Sequence, residues 1–268
     1  VDAGFEVTLV VSAPDKRRGR GGATTPSPVK AAAAELGLAV TDRVADVVDA
    51  GVELGVVVAF GRLIRRPVLE QVPMVNLHFS LLPRWRGAAP VERALLAGDT
   101  ETGVCLMALD EGLDTGPVYH RVVVPIRPDD TVDRLRGQLV AAGSDLLVDA
   151  LRHGLGRPEP QQGEATYAPK LTADDLRLRW DRPAAELDRV VRVGGAWCTF
   201  RDRRLKVWAA RPRHRPGRDP APGVLDGVVV GCGEGALELV EVQPEGKTRM
   251  PAAAWRHGAH PAPGERLG

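Results

Sequence analysis

An apolar run that ends abruptly in polar groups constrains this chain more than any other stretch. Val72, Met74 and Val75 lead into Asn76-Leu77-His78-Phe79-Ser80-Leu81-Leu82-Pro83-Arg84-Trp85-Arg86-Gly87. A strand buried inside a sheet reads as continuous apolar sequence, and α/β folds place their chemistry at the carboxyl ends of such strands. On an extended backbone Asn76 and His78 point to one side and Leu77 to the other. Further along, Asp110-Glu111-Gly112-Leu113-Asp114-Thr115-Gly116-Pro117 is a glycine-punctuated loop rich in carboxylates. A carboxylate brought against an imidazole fixes its tautomer and favours its charged form. An amide beside that pair can donate to a developing oxyanion.

Short apolar runs recur on both sides of this stretch. Residues 7–11, 38–40, 55–60 and 102–109 read as strands, the first and third buried on both faces. Residues 118–126 alternate and read as an antiparallel partner, so the Asp114 loop lies between two strands. Helical spacing marks residues 28–36 and 90–97, the latter stopped by Gly98, with single turns at 44–48 and 67–71. A long helix is expected over 131–151, with Val132, Leu135, Leu139, Ala142, Leu146, Leu147 and Leu151 as its apolar stripe. Alternation of this kind predicts an α/β unit with a Rossmann-like, mostly parallel sheet. Composition then shifts: residues 157–168 are rich in Pro, Gln, Gly and Glu and read as a connecting stretch. Beyond a helix at 184–193, residues 199–209, 223–231 and 236–243 read as strands between glycines, which predicts a small β-barrel. The expected organisation is an α/β domain at 1–160, a linker at 161–178 and a barrel at 179–268.

At 268 residues the chain has room for two ordinary domains. A net charge of +1 provides no global field for nucleic acid, so any such surface must be a local patch. No apolar run reaches the length of a membrane span, and no secretory signal opens the sequence. Cys105, Cys198 and Cys232 are odd in number and lack metal spacing, which reads as free thiols in a reducing cytoplasm. One imidazole among carboxylates is a poor metal donor set, and no metal is expected. Ser80 lacks the nucleophile-elbow pattern and reads as a turn residue.

Two stretches concentrate positive charge. Residues 12–27 contain no apolar side chain larger than Ala or Pro, and gather Lys16, Arg17, Arg18 and Arg20 among glycines. Long loops of this kind are functional or disordered, and this one follows a strand on the side where α/β folds bind ligands. The second stretch crowds Arg201, Arg203, Arg204, Lys206, Arg211, Arg213, Arg215 and Arg218 together. It reads either as a sheet edge blunted by charge or as a nucleic-acid face.

Asn-x-His-x-Ser-Leu-Leu-Pro at 76–83, Arg-Trp-Arg-Gly-Ala-Ala-Pro at 84–90 and Gly-Leu-Asp-Thr-Gly-Pro at 112–117 resemble the methionyl-tRNA formyltransferases. The shorter Asn-x-His with a distant Asp resembles a wider group of folate-dependent formyl transferases and hydrolases. The resemblance runs from about Gly4 to the carboxyl end. It includes Pro14-Asp15, Pro26-Ser27-Pro28-Val29-Lys30, Gly246-Lys247 and Met250-Pro251-Ala252-Ala253. It implies a carboxyl-terminal domain of OB type, 10-formyltetrahydrofolate as formyl donor and initiator methionyl-tRNA as acceptor. It implies catalysis by Asn76, His78 and Asp114. Backbone around Ala59, Phe60, Gly61 and Leu63 would face the pterin. Ser80, Leu81, Leu82, Pro83, Arg84, Trp85, Arg86, Gly87, Asp110 and Gly112 would line the folate or the methionyl end. Lys16, Arg17, Arg18, Arg20, Arg203, Arg204, Lys206 and Arg211 would face tRNA, with Arg20 matching the arginine of a loop that wedges against the acceptor stem. A cytoplasmic monomer is expected. The family also places a strand, a Gly-Thr-Pro turn and most of a helix ahead of residues like these, so an amino-terminally truncated chain is expected. Two other readings stay open: a related folate enzyme, such as a formyltetrahydrofolate hydrolase or a sugar-amine formyltransferase, and a non-enzymatic RNA-binding module. The basic loop around Arg20 and residues 247–255 argue against the first.

Overall fold

The computed structural model describes residues 1–17, 24–213 and 219–268. Arg18, Arg20, Arg215 and Arg218, named above in the basic stretches, lie outside the described residues. The chain gathers into two compact units. The first comprises Val1–Ala88, Gly103–Val124 and Leu139–Tyr167, and the second Ala89–Thr102, Pro125–Gln138 and Ala168–Gly268.

The first unit opens with β1 (Val10–Val11), β2 (Lys16–Arg17), β3 (Thr24–Thr25), α1 (Pro28–Glu35) and β4 (Val40–Thr41). Next come α2 (Asp46–Asp49), β5 (Gly55–Val58), α3 (Arg66–Leu69), β6 (Met74–His78) and β7 (Arg86–Gly87). β1 pairs with β4 and β5 with β6, both in parallel, as the strand-helix alternation requires. On its other edge β6 takes β8 (Glu101–Ala108) antiparallel, with β9 (Val118–Pro125) beyond it. All five residues of β6 are buried, in keeping with a strand that has neighbours on both edges. The reading of residues 55–60 as buried on both faces is corrected. β5 is an edge strand, and its Val56 and Val58 are exposed.

The stretch at 12–27 is not a plain loop, because β2 and β3 pair antiparallel within it. Its base is tied. The hydroxyls of Ser12 and Ser27 meet at 2.5 Å, and Lys30 reaches both carboxylate oxygens of Asp15 at 2.9–3.0 Å. Ser27 also caps α1 by accepting from the Lys30 backbone N–H at 3.0 Å, with Pro28 as the first helical residue. In α5 (Val132–His153) Val132, Leu135 and Leu139 of the expected stripe are buried, whereas Ala142, Leu146, Leu147 and Leu151 are half-buried and Ala150, outside that stripe, is buried. The polar stretch at 157–168 ends in β10 (Tyr167–Ala168), which lies beside β7.

In the second unit, α4 (Pro90–Ala97) stops at Gly98, whose φ of +79° is a left-handed cap that glycine adopts freely. α6 (Ala184–Val193), β11 (Trp197–Phe200), β12 (Arg203–Arg213), β13 (Leu225–Asp226), β14 (Val229–Gly231), β15 (Ala236–Pro244), β16 (Met250–Pro251) and α7 (Ala252–Ala259) complete it. The strands run β11-β12-β15-β14-β13, with β16 on β15, and pair antiparallel in the OB-like arrangement expected. Leu205, Val207, Leu237, Leu239 and Val242 point inward onto Leu187, Val191 and Trp255. Alternation sends Arg204 and Trp208 outward. Residues 199–209, read as one strand, are a hairpin turning at Arg201-Asp202. Both turn residues adopt positive φ, +49° and +61°. A two-residue turn with left-handed backbone suits the strand twist, and it announces itself in sequence only when glycine or asparagine occupies it. Here Arg201 is anchored from outside, by a two-point ion pair with Glu265.

Candidate active site

β6 brings Asn76 and His78 to its carboxyl end, both buried, with Asn76 opposite Val57 and Met107 and His78 opposite Cys105. The His78 ring lies between two oxygens. Nε2 is 2.9 Å from the Trp85 carbonyl, so Nε2 carries a hydrogen and donates it. Nδ1 faces Asp114 Oδ2 at 3.6 Å. The same Asp114 oxygen accepts from the Gly87 backbone N–H at 2.8 Å. The Asn76 carboxamide makes no hydrogen bond to another described residue, which leaves it as the uncommitted donor of the set. Cys105 is no competitor for the chemistry. Burial pushes its thiol up, against smaller opposing effects of the Leu82 backbone and the Arg121 charge. A neutral buried thiol is a poor nucleophile.

The Asp114 loop is built by its small residues. The Asp110 carboxylate accepts from the Gly112 N–H at 3.1 Å and from the Thr115 hydroxyl at 2.8 Å. Gly116 must be glycine, because a Cβ there would lie 1.9 Å from the Ala108 carbonyl. Asp114 itself sits at φ +53°, a left-handed conformation that aspartate tolerates better than most side chains.

The other wall is the turn after β6. The Ser80 hydroxyl donates to the Arg84 carbonyl at 2.6 Å, in line with its reading as a turn residue. Leu82 is buried with Cys105, Met107 and Val118 and supports the turn from beneath. The Arg84 guanidinium stacks over Trp85 at 4.4 Å. Ala59, Phe60, Gly61 and Leu63 follow β5 directly, at the same end of the sheet as Asn76 and His78. Ala59 and Gly61 take positive φ, and Leu63 is 75% exposed.

Two groups in this site were missed by sequence reasoning, and both come from the polar stretch at 157–168. Gln161 donates from Nε2 to the carbonyls of Asp114 and Gly116, each at 2.8 Å. Its Oε1 accepts from Arg86 Nη2 at 2.7 Å and Nε at 3.1 Å. Thr166 accepts the Trp85 N–H on its hydroxyl and the Arg86 N–H on its carbonyl, both at 2.9 Å. The one sequence signal was the β-forming pair Thr166-Tyr167 at the end of a Pro- and Gln-rich run.

The candidate RNA contacts fall in two places. Lys16 and Arg17 form β2, and Arg18 and Arg20 lie outside the described residues. Arg203, Arg204, Lys206 and Arg211 share β12. Arg204 stacks over Trp197 at 4.2 Å, and Lys206 sits 5.8 Å from the Trp208 ring, which also has Arg249 at 4.9 Å. Arg203 has Glu245 at 3.9 Å. Among the described residues no helix is long and apolar enough to cross a membrane, and all three cysteines are free and buried.

The sequence model of the formyl transferase family matches residues 2–151, and that of the formyl transferase C-terminal domain matches residues 170–260. A methionyl-tRNA formyltransferase of Symbiobacterium thermophilum is 42% identical over 292 residues, spanning 100% of this chain and 89% of its own length. That of Thermus thermophilus is 46% identical over 282 residues, spanning 98% and 92%. Among solved structures, the methionyl-tRNA formyltransferase of Clostridium thermocellum shares the fold at a TM-score of 0.54 and 19% identity, over 68% of this chain and 82% of that one. HypX of Aquifex aeolicus, solved with tetrahydrofolic acid, does so at 0.60 and 18%, over 83% and 43%. Two formyl transferase domains in sequence order, with identity above two-fifths over nearly the whole of both curated relatives, decide the matter: the chain belongs to the methionyl-tRNA formyltransferase family.

Proposed function

We propose that this chain transfers the formyl group of 10-formyltetrahydrofolate to the α-amine of methionyl initiator tRNA, for translation initiation, with Asn76, His78 and Asp114 at the reacting atoms. The carrying observation is the His78–Asp114 pair at the carboxyl end of β6, with the Asn76 amide on the same strand. The neutral amine attacks the formyl carbon, and the carbonyl electron pair moves to oxygen. Asn76 and protonated His78 donate to that oxyanion, each such donor contributing about 3 kcal/mol to the barrier reduction. His78 Nε2 exchanges the Trp85 carbonyl for the oxyanion, while Asp114 holds Nδ1. The intermediate then collapses, the bond from carbon to N10 breaks, and the proton lost by the amine goes to N10 through a water ordered by Asp114. No covalent enzyme intermediate forms.

In this reading residues 1–160 hold the catalytic groups and 179–268 form an RNA-facing domain, joined by 161–178. Ala59 to Leu63 and the turn at 80–87, with Asp110 and Gly112, border the folate and the methionyl end. Lys16, Arg17, Arg18 and Arg20 address the acceptor stem, and Arg203, Arg204, Lys206 and Arg211 attract phosphates. The proposed setting is the cytoplasm, where translation is initiated, with the chain acting as a monomer. The test is a formylation assay with charged initiator tRNA and 10-formyltetrahydrofolate, scored as N-formylmethionyl-tRNA. Formate release without an acceptor would point to a hydrolase. Formylation of an amino sugar would point to the sugar-amine class. RNA retention with no turnover would leave only a binding module.

A further inference from the structure

We propose that Gln161 is a positioning residue for the formyl transfer, setting the Asp114 carboxylate against His78; the proposal rests on the catalytic reading of Asp114 given above. The amide of Gln161 is saturated. Both N–H groups are used, on the carbonyls of Asp114 and Gly116, and the oxygen takes two bonds from the Arg86 guanidinium. Its orientation is fixed by those partners. Turned over, the amide would set its oxygen against two carbonyls and its hydrogens against a guanidinium.

The clamp joins the two structures that aim the carboxylate. One is the Asp114 backbone, held at φ +53° in a conformation that needs outside support. The other is β7, where the N–H of Gly87, next to Arg86, binds Asp114 Oδ2 at 2.8 Å. That same oxygen faces His78 Nδ1. Gln161 therefore fixes the spacing between the carboxylate's own backbone and its second anchor. It touches neither His78 nor Asn76 by hydrogen bond, so its effect on the chemistry passes through Asp114.

The experiment is a cycle of single-turnover formylation rates at saturating 10-formyltetrahydrofolate and methionyl-tRNA. It uses the full chain as wild type, Gln161→Met, Asp114→Ala and the double variant. Gln161→Met is expected to lower kcat about tenfold to a hundredfold, the loss typical of a small misplacement of a catalytic group. Both KM values should stay within about twofold, as for a group felt only in the transition state. In the Asp114→Ala background the same substitution should cost almost nothing, because the residue it acts through is gone. A kcat near wild type overturns the proposal, and so does a full additional loss on top of Asp114→Ala, which would mean that Gln161 acts elsewhere. If Gln161→Met does not fold, Gln161→Glu decides. It keeps the Arg86 side but sets an acceptor oxygen against both carbonyls, so kcat should fall and the melting temperature should drop somewhat in the folded enzyme; unchanged kcat overturns the proposal. Asp114→Ala retaining normal turnover sinks the catalytic reading itself, and the positioning role with it. A large loss in Asp114→Ala with none in either Gln161 variant sinks only the positioning role.

Discussion

His78 has an oxygen acceptor on each ring nitrogen, at 2.9 Å and 3.6 Å, and the Asn76 amide stands on the same strand. On that geometry, Asn76→Ala and His78→Ala should each lower kcat about a hundredfold to a thousandfold, the loss measured when one oxyanion donor is removed elsewhere. Affinity for methionyl-tRNA should stay within about twofold, because in the proposed reading both groups act on the transition state rather than on remote binding. Single-turnover formylation together with tRNA binding measures both, and a His78→Ala enzyme with near-normal turnover ends the mechanism. At this scale the trio that the structure brings together was legible for a physical reason. Asn76 and His78 share a strand whose period of two puts them on one side, and a carboxylate in a glycine-rich loop stands out in any sequence. Gln161 was not legible. It is a neutral amide in a Pro- and Gln-rich run, and its partner Arg86 lies 75 residues away in the chain. Nothing local tells a saturated amide clamp from a solvated linker glutamine.

Short elements carry their own tests. Ser27 accepts the Lys30 N–H and meets the Ser12 hydroxyl, so Ser27→Ala removes the cap of α1 and one tie at the base of the β2–β3 hairpin. A loss of about 1 kcal/mol in urea unfolding is expected, as for other serine caps. An unchanged midpoint would show that the Lys30–Asp15 pair holds the base alone. In the second unit Asp175 takes both terminal nitrogens of Arg93 and the Thr172 N–H. The Arg93 hydrogen bonds, helped by Thr172, hold the carboxyl at about 2, below its ordinary value of 3.8. A depressed carboxylate stabilises the fold above its unfolded pKa, and loses that contribution as pH falls through the folded value. The pair is partly solvated, so about 1 kcal/mol is a fair size at neutral pH. The stability gap between wild type and Asp175→Ala should be constant above about pH 5 and should narrow as pH falls from about 4 towards 2. A gap independent of pH would mean that the pair contributes nothing. Elements marked by apolar period or a glycine stop, such as β6 and α4, were legible. The Arg201-Asp202 turn was not, because its left-handed backbone is secured by Glu265, 64 residues on.

At the scale of the whole molecule, alternation of strands and helices followed by a shift to short strands was enough to read an α/β part and a small β-barrel, while the OB type came from the family resemblance. The exposed Val56 and Val58 of β5 were not readable, because sequence alone does not say which strand ends a sheet. Nor does sequence say whether a basic strand faces RNA or merely solvent, and β12 poses that question most directly. Its inward residues, Leu205 and Val207, are buried in the core, while Arg203, Arg204 and Arg211 are exposed. Neutralising those three arginines therefore leaves the core packing intact, and stability should change by less than about 0.5 kcal/mol at Arg203 and Arg211 and by up to about 1 kcal/mol at Arg204, which stacks over Trp197. Phosphate contacts position an RNA without reading it, so initiator and elongator tRNAs should lose affinity equally. Each lost contact also retains condensed counterions, which flattens log affinity against log salt by about 0.9 units for a duplex. Arg203 already has Glu245 at 3.9 Å, so it competes less well for phosphate than the other two. A flattening of about two units is expected rather than three. Turnover at saturating tRNA should hardly move, since no member of the His78 site lies on β12. The measurement is tRNA binding across a salt series for wild type and the triple variant. An unchanged slope would make these arginines a solvated sheet edge, and would leave the residues 16–20 stretch as the surface to test next.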